Sequence, residues 1–137
     1  MVTAVERKTK YTCIQPVRRK TADAVANALI TMLMPFQNQI LTITVDNGKE
    51  FAHHQHVADA LNTNVYFAHP YHAWERGLNE NTNGLLRQYF PKKSSFEGIT
   101  HDQVKFVENR LNSRPRKLLQ FKTPMELFKT LLVALET

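Results

Sequence analysis

Two acids in this sequence of 137 residues, Asp46 and Glu80, stand where they could share a metal ion. Asp46 directly follows ILTITV (Ile40–Val45), a short β-branched run that reads as a buried strand. Its carboxylate therefore falls at a strand's carboxyl end, the edge at which open α/β sheets bind ligands. Glu80 follows after 33 intervening residues, at the start of the helix that succeeds the next strand, NVYFA (Asn64–Ala68). If those strands are parallel neighbours, a residue after one and a residue on the later helix converge. Converging carboxylates are the oxygen donors that a hard cation such as Mg²⁺ takes. Two such ions activate the attacking oxygen and steady the leaving one in phosphoryl transfer. Each acid also has a plainer explanation. Asp46-Asn47-Gly48 is a turn signal in its own right, and an acid in a helix's first turn suits the helix dipole. Glu75 competes for the second position, but it falls in the irregular stretch HPYHAWERG (His69–Gly77) and is less well aimed.

Other site chemistries are weaker here. His53, His54 and His56 lie close together and His69 and His72 follow, but the single cysteine, Cys13, is remote from them. Zinc sites mix Cys and His at regular spacing, so zinc is not expected. One cysteine also excludes an internal disulfide and suits a reducing cytoplasm. The chain is 42% hydrophobic and 22% charged, an ordinary balance for one globular domain over residues 1–137. It carries neither an apolar run long enough for a membrane span nor a signal-peptide pattern at its start. Lys and Arg number 18 against 12 acids, a net charge of +6 that suits a polyanionic partner as well as a merely solvated basic surface. The basic residues cluster at Arg7–Lys10, Arg18–Lys20, Lys92–Lys93 and Arg114–Lys117, at the ends of elements where a phosphate backbone would be met.

The elements that must position these groups alternate in type. Val2–Val5 and Tyr11–Val17, separated by the polar Glu6–Lys10, read as a β-hairpin. Thr21 is a good N-cap for a helix with Ala22, Val25, Ala26, Leu29, Met32 and Leu33 at helical spacing, closed by Pro35. Phe51–Leu61 reads as a helix with Val57, Ala58 and Leu61 inward. From about Leu78 another helix turns Leu85, Leu86, Tyr89 and Phe90 to one face. Thr100 and Gln103 form a capping-box pair that opens a helix with Val104, Val107 and Leu111. After the basic loop Ser113–Lys117, Thr123, Pro124 and Glu126 start a last helix through Leu127, Phe128, Leu131 and Leu135. The order β-β-α-β-α-β-α-α-α argues for a layered α/β domain.

Several strings together resemble one family. WERGLNENTNGLLRQYFPK (Trp74–Lys92) resembles the third-carboxylate region of bacterial insertion-sequence transposases of the D,D-E type with D-x33-E spacing, and TVDNGKEF (Thr44–Phe51) resembles their second-Asp motif. HPYHAWERG resembles the loop before the Glu helix. NSRPRKLLQFKTPMELF (Asn112–Phe128) resembles their C-terminal end, seen more loosely in retroviral integrases. The resemblance spans essentially the whole chain. It implies an RNase H-like mixed sheet flanked by helices, and DNA cleavage and transfer dependent on Mg²⁺ or Mn²⁺. Asp46 and Glu80 would be metal ligands, DNA the partner, and the full-length family homo-oligomeric and associated with the nucleoid in the cytoplasm. Arg76, Arg87, Lys92, Lys93, Arg114, Arg116 and Lys117 are the candidate phosphate contacts. Asn79 and Asn83 would touch DNA or the ligands, or form a solvated helix face. Trp74 would stack on bases or anchor its loop on the core.

A D,D-E site also needs a first aspartate, which the resemblance places on a central strand before the hairpin. Glu6 falls in the hairpin turn and Asp23 at a helix start, so neither is suited to that role. The expectation is therefore a core without its first strand, inactive alone. The alternative is a non-catalytic fragment that binds DNA or a full-length transposase.

Overall fold

The computed structural model describes residues 1–45, 48–67, 84–90 and 99–129. They divide into two compact units: Met1–Val2 with Gln15–Gly77, and Thr3–Ile14 with Leu78–Thr137.

In the first unit, helix α1 (Ala22–Leu33) starts as its sequence dictates: Thr21 is extended and its hydroxyl accepts the Ala24 N–H at 3.2 Å. Val25, Ala26, Ala28, Leu29 and Met32 form the buried stripe. Pro35 was expected to end the helix. Instead the chain tightens into a 3-10 turn over Met34–Gln39, with Pro35 in its first positions and a kink at Phe36 (φ −111°, ψ 15°). Proline lacks the N–H of the next α-helical bond but tolerates a helix start, which accounts for a change of winding rather than a stop. Strand β3 (Thr42–Val45) pairs in parallel with β4 (Asn64–Phe67), in the register Thr42↔Asn64 through Val45↔Phe67. The strand expected to be buried is half-buried instead. Thr42 and Thr44 are exposed and Val45 is buried, and Leu41 and Tyr66 are also exposed. Alternation across the pleat explains this, since only one face meets α1 and α2. Helix α2 is shorter than expected, with a 3-10 turn at Lys49–Phe51 preceding His54–Leu61. Its inward residues are the anticipated Val57, Ala58 and Leu61. The helix stops at Asn62 in the left-handed conformation (φ 51°, ψ 49°), which asparagine tolerates better than most residues.

The second unit is built on the hairpin β1 (Val2–Val5) and β2 (Thr12–Gln15). Glu6 locks its turn. The Glu6 carboxylate accepts the Lys8 N–H at 3.0 Å and both the N–H and hydroxyl of Thr9 at 2.6 Å. Partial burial pushes the Glu6 pKa up, but these hydrogen bonds and nearby Lys10 outweigh it and hold the carboxyl below its ordinary value. Helix α3 (His101–Asn112) opens on the expected capping box. The Thr100 hydroxyl accepts the Gln103 N–H at 3.1 Å, and Gln103 Oε1 accepts the Thr100 N–H at 2.8 Å. Val104, Val107 and Leu111 are buried. Residues 84–89 are helical with Leu86 buried. Residues 124–129 form another helical turn, and its Phe128 stacks on Tyr11 with ring centroids 4.2 Å apart.

Two buried polar residues of α3 were not anticipated. The Ile14 N–H donates to Glu108 Oε2 at 2.9 Å. The Thr12 N–H donates to Asn112 Oδ1 at 2.8 Å, and Asn112 Nδ2 donates to the Thr12 carbonyl at 2.8 Å. The spacing permits this: four residues along a helix rise about 6 Å and two along a strand about 7 Å. The helix side chains thus stand in for a neighbouring strand along β2.

Asn112→Ala would strand the buried amide and carbonyl of Thr12. It is expected to cost about 2–3 kcal/mol in urea unfolding; a loss under about 0.5 kcal/mol would contradict the role assigned to Asn112. For Glu6, a lowered folded pKa means stability that is present above the unfolded value near 4.5 and lost as pH falls through the folded value. Wild type should therefore exceed Glu6→Gln in stability at neutral pH, and unfolding curves should show the gap closing in acid below that value.

Candidate functional site

Parallel, in-register pairing makes Val45 and Phe67, the last residues of β3 and β4, direct partners. The carboxyl ends of both strands lie at one end of this small sheet, the geometry that the two-acid reading requires. Asp46 follows Val45 in the sequence and Glu80 lies in the segment after Phe67. Both lie outside the described residues, as do Trp74, Glu75, Arg76, Asn79, Asn83, Lys92 and Lys93.

What is described beyond β3 is a carboxylate-bearing turn. Gly48 is extended (φ −108°, ψ 153°) and leads into the 3-10 turn. The Glu50 carboxylate folds back over it so closely that a Cβ at position 48 would lie 2.7 Å from Glu50 Cδ. Glycine therefore leaves room for an acid that sequence reasoning passed over. His54 Nδ1 lies 3.2 Å from the Phe51 carbonyl, and its ring meets Phe67 edge-on at 4.9 Å, tying the turn to the end of β4. His53 Nε2 lies 3.2 Å from Asp23 Oδ1 in a largely exposed pair, worth little to stability. An apolar cavity of about 10 Å³ lies among Leu29, Ile43, Val57 and their neighbours. That is room for a water at most, so it does not serve a small-molecule substrate. Among the described residues, no three or more His, Cys, Asp or Glu side chains are grouped to hold a metal.

Of the expected phosphate contacts, Arg87, Arg114, Arg116 and Lys117 are described, all in the second unit. Arg87, Arg114 and Lys117 are exposed. Arg114 Nη1 reaches Gln88 Oε1 at 3.5 Å, which brings the loop after α3 beside the helical turn that carries Arg87. Arg116 is placed differently. Its Nη2 donates to the Leu111 carbonyl at 3.0 Å, near the end of α3. Its backbone bridges to Lys122. Burial, and then the nearby charge of Arg114, lowers its guanidinium pKa. The side chain thus serves the end of the helix, a role that a count of positive charges does not reveal. Cys13 is buried on β2. Burial first, and then the charge of Glu108, pushes its thiol up to about 12.

No family model matches the chain. Several curated relatives do, two of them over nearly the whole chain. The transposase of insertion sequence element IS4351 from Bacteroides fragilis is 48% identical over 132 residues, covering 96% of this chain and 40% of that protein. Transposase InsI of insertion sequence element IS30A from Escherichia coli (strain K12) is 41% identical over 130 residues, covering 94% of this chain and 34% of its own length. Among solved structures, the catalytic core domain of BIV integrase matches with a TM-score of 0.70 at 21% identity, covering 98% of this chain and 88% of that one.

The fold is therefore that of the RNase H-like integrase catalytic core. Within that class, the chain is a homologue of the IS4351 and IS30 insertion-sequence transposases along nearly its whole length, and it spans 40% and 34% of those two proteins.

A thiol that is buried and this weakly acidic should not attack reagents, because the thiolate is the nucleophile. Cys13 is expected to resist a disulfide reagent at neutral pH in the folded chain and to react fully in denaturant. Prompt labelling of the folded chain would show that the β2 face is open.

Proposed function

We propose that the chain contributes Asp46 and Glu80 to a divalent-metal centre for DNA strand cleavage and transfer, in a transposase of the D,D-E type. The observation that carries this reading is the 48% identity to the IS4351 transposase across 96% of the chain. The parallel β3–β4 pair supports it, because carboxyl ends in register suit two acids meeting at one edge. The match of the BIV integrase core to 98% of the chain supports one partial catalytic-core domain over residues 1–137.

The donor chemistry fits Mg²⁺ or Mn²⁺, since both proposed ligands are carboxylates and Glu50 adds a third hard donor nearby in sequence. When bound, the ions supply activation of the attacking oxygen and stabilisation of the leaving one. Asp46 and Glu80 fix the position of the centre. Arg87, Arg114 and Lys117 hold the DNA backbone by its phosphates, with Arg76, Lys92 and Lys93 alongside them. Arg116 keeps the end of α3 and its loop in shape. Trp74, Asn79 and Asn83 orient the strand beside the acids. Water attacks one phosphodiester and releases a DNA 3′-hydroxyl, which then attacks a second phosphodiester and displaces its 3′ oxygen, so no side-chain nucleophile is required. Such a protein works on the nucleoid, as a homo-oligomer that brings DNA ends together.

Calorimetric titration with Mn²⁺ tests the reading. Binding is expected in the wild-type chain and should weaken at least about tenfold in Asp46→Asn and in Glu80→Gln, the usual scale for losing a metal-site contact. Equal affinity in all three proteins would refute it.

A further inference from the structure

The loop after α3 contains a feature that phosphate binding leaves unexplained. Beyond the 3-10 turn Lys117–Leu119, Gln120 (φ 55°) and Phe121 (φ 65°) are consecutive left-handed residues. The turn is closed by the Lys122 N–H donating to the Leu119 carbonyl at 3.1 Å and the Phe121 N–H donating to the Arg116 carbonyl at 2.8 Å. Two successive positive φ angles make a primed turn, which glycine and asparagine favour. A bulky aromatic there is a genuine outlier. Packing does not account for it, because Phe121 is 71% exposed and Leu118 is 82% exposed. Strained backbone persists where its surroundings enforce it, and it concentrates at functional positions. Here the surroundings do enforce it: the Arg116↔Lys122 bridge pins the base of the turn, and the Arg116 side chain is tied to the end of α3. Arg114, Lys117 and Lys122, all close in sequence to these two apolar residues, are exposed.

We propose that this turn is a base-reading finger. Phe121 stacks on an unpaired base of a DNA strand, with exposed Leu118 adding apolar surface in the same loop, while Lys117, Lys122 and Arg114 hold the flanking phosphates. Charge selects the occupant, since exposed cations in the same loop as an exposed aromatic suit a polyanion with π-faced bases. A second copy of this chain, itself carrying net charge +6, is a poorer match. The inference rests on the DNA reading above and adds to it a position that contacts bases rather than backbone.

The test uses the full chain and a single-stranded oligonucleotide carrying a fluorescent adenine analogue, with binding measured across a salt series. Wild type is expected to bind and to change the analogue's emission through stacking. Phe121→Gly relieves the strained φ, so its unfolding midpoint should hold or rise. It should nevertheless abolish the emission change and weaken binding about tenfold, with the salt slope unaltered. Phe121→Trp should restore the emission change. Lys117→Ala and Lys122→Ala should each reduce the salt slope by about 0.7 and leave stacking in place. Binding and emission identical in wild type and Phe121→Gly would overturn the finger while leaving the DNA reading intact. No binding by wild type at all would refute the DNA reading and the finger with it. A wild-type dimer that Phe121→Gly dissociates, with DNA affinity unchanged, would assign the turn to a second copy instead.

Discussion

Everything proposed for the site depends on the parallel pairing of two four-residue strands. Parallel neighbours cannot be joined by a tight turn, so the chain between Val45 and Asn64 must cross over, and α2 is that crossover. The crossover helix and α1 cover one face of the pair, with Val25, Leu29 and Val57 grouped around Ile43, Val45 and Val65. Because the register is in phase, with Val45 opposite Phe67, both strands finish at one end. Antiparallel strands would have sent their carboxyl ends to opposite sides and separated the segments that begin with Asp46 and Ala68. The orientation of one short pair is thus the physical precondition for a site drawn from distant parts of the sequence.

The second unit meets a different demand. An edge strand carries unpaired backbone groups that invite association with other chains. Along β2, Glu108 and Asn112 take up those groups from a helix, and Lys105 lies 3.3 Å from the other Glu108 oxygen. A buried carboxylate that accepts a backbone N–H and faces a lysine is compensated, and a buried asparagine with both ends of its amide engaged leaves no loose polar atom. Asn112 is also the last residue of α3, next to the loop that carries Arg114, Lys117 and the strained turn. Edge protection thus reaches the end of α3 from which the basic loop leaves.

Much of this was legible from residue order. Hydrophobic period located α1 and the inward residues of α2. Thr100 with Gln103 marked the start of α3 through capping chemistry alone, and the hairpin followed from its two β-rich runs. Where the reading fell short, local signals were overridden by neighbours. Pro35 changed the winding of its helix instead of stopping it, and ILTITV was half-buried because α1 and α2 cover one face only. Glu108 and Asn112 looked like polar helix positions, since nothing in their spacing reveals a strand edge 94 to 100 residues earlier in the chain. Arg116 counted as one more positive charge until its hydrogen bond to Leu111 was seen. Asp46 and Glu80 are proposed from motif and spacing, and the parallel β3–β4 pair is compatible with that proposal. The acids themselves lie beyond the described residues.

The most direct test of the central claim asks whether positions 46 and 80 meet at one metal. Fe²⁺ bound in place of Mg²⁺, with ascorbate and peroxide, generates radicals that cut the polypeptide next to the ion, and mass spectrometry maps the cuts. The account predicts cleavage near both Asp46 and Glu80, suppressed by excess Mg²⁺ and lost together at both places in Asp46→Asn. Cleavage confined to the histidines around His53–His56, or persisting near Glu80 in Asp46→Asn, would contradict a shared carboxylate centre.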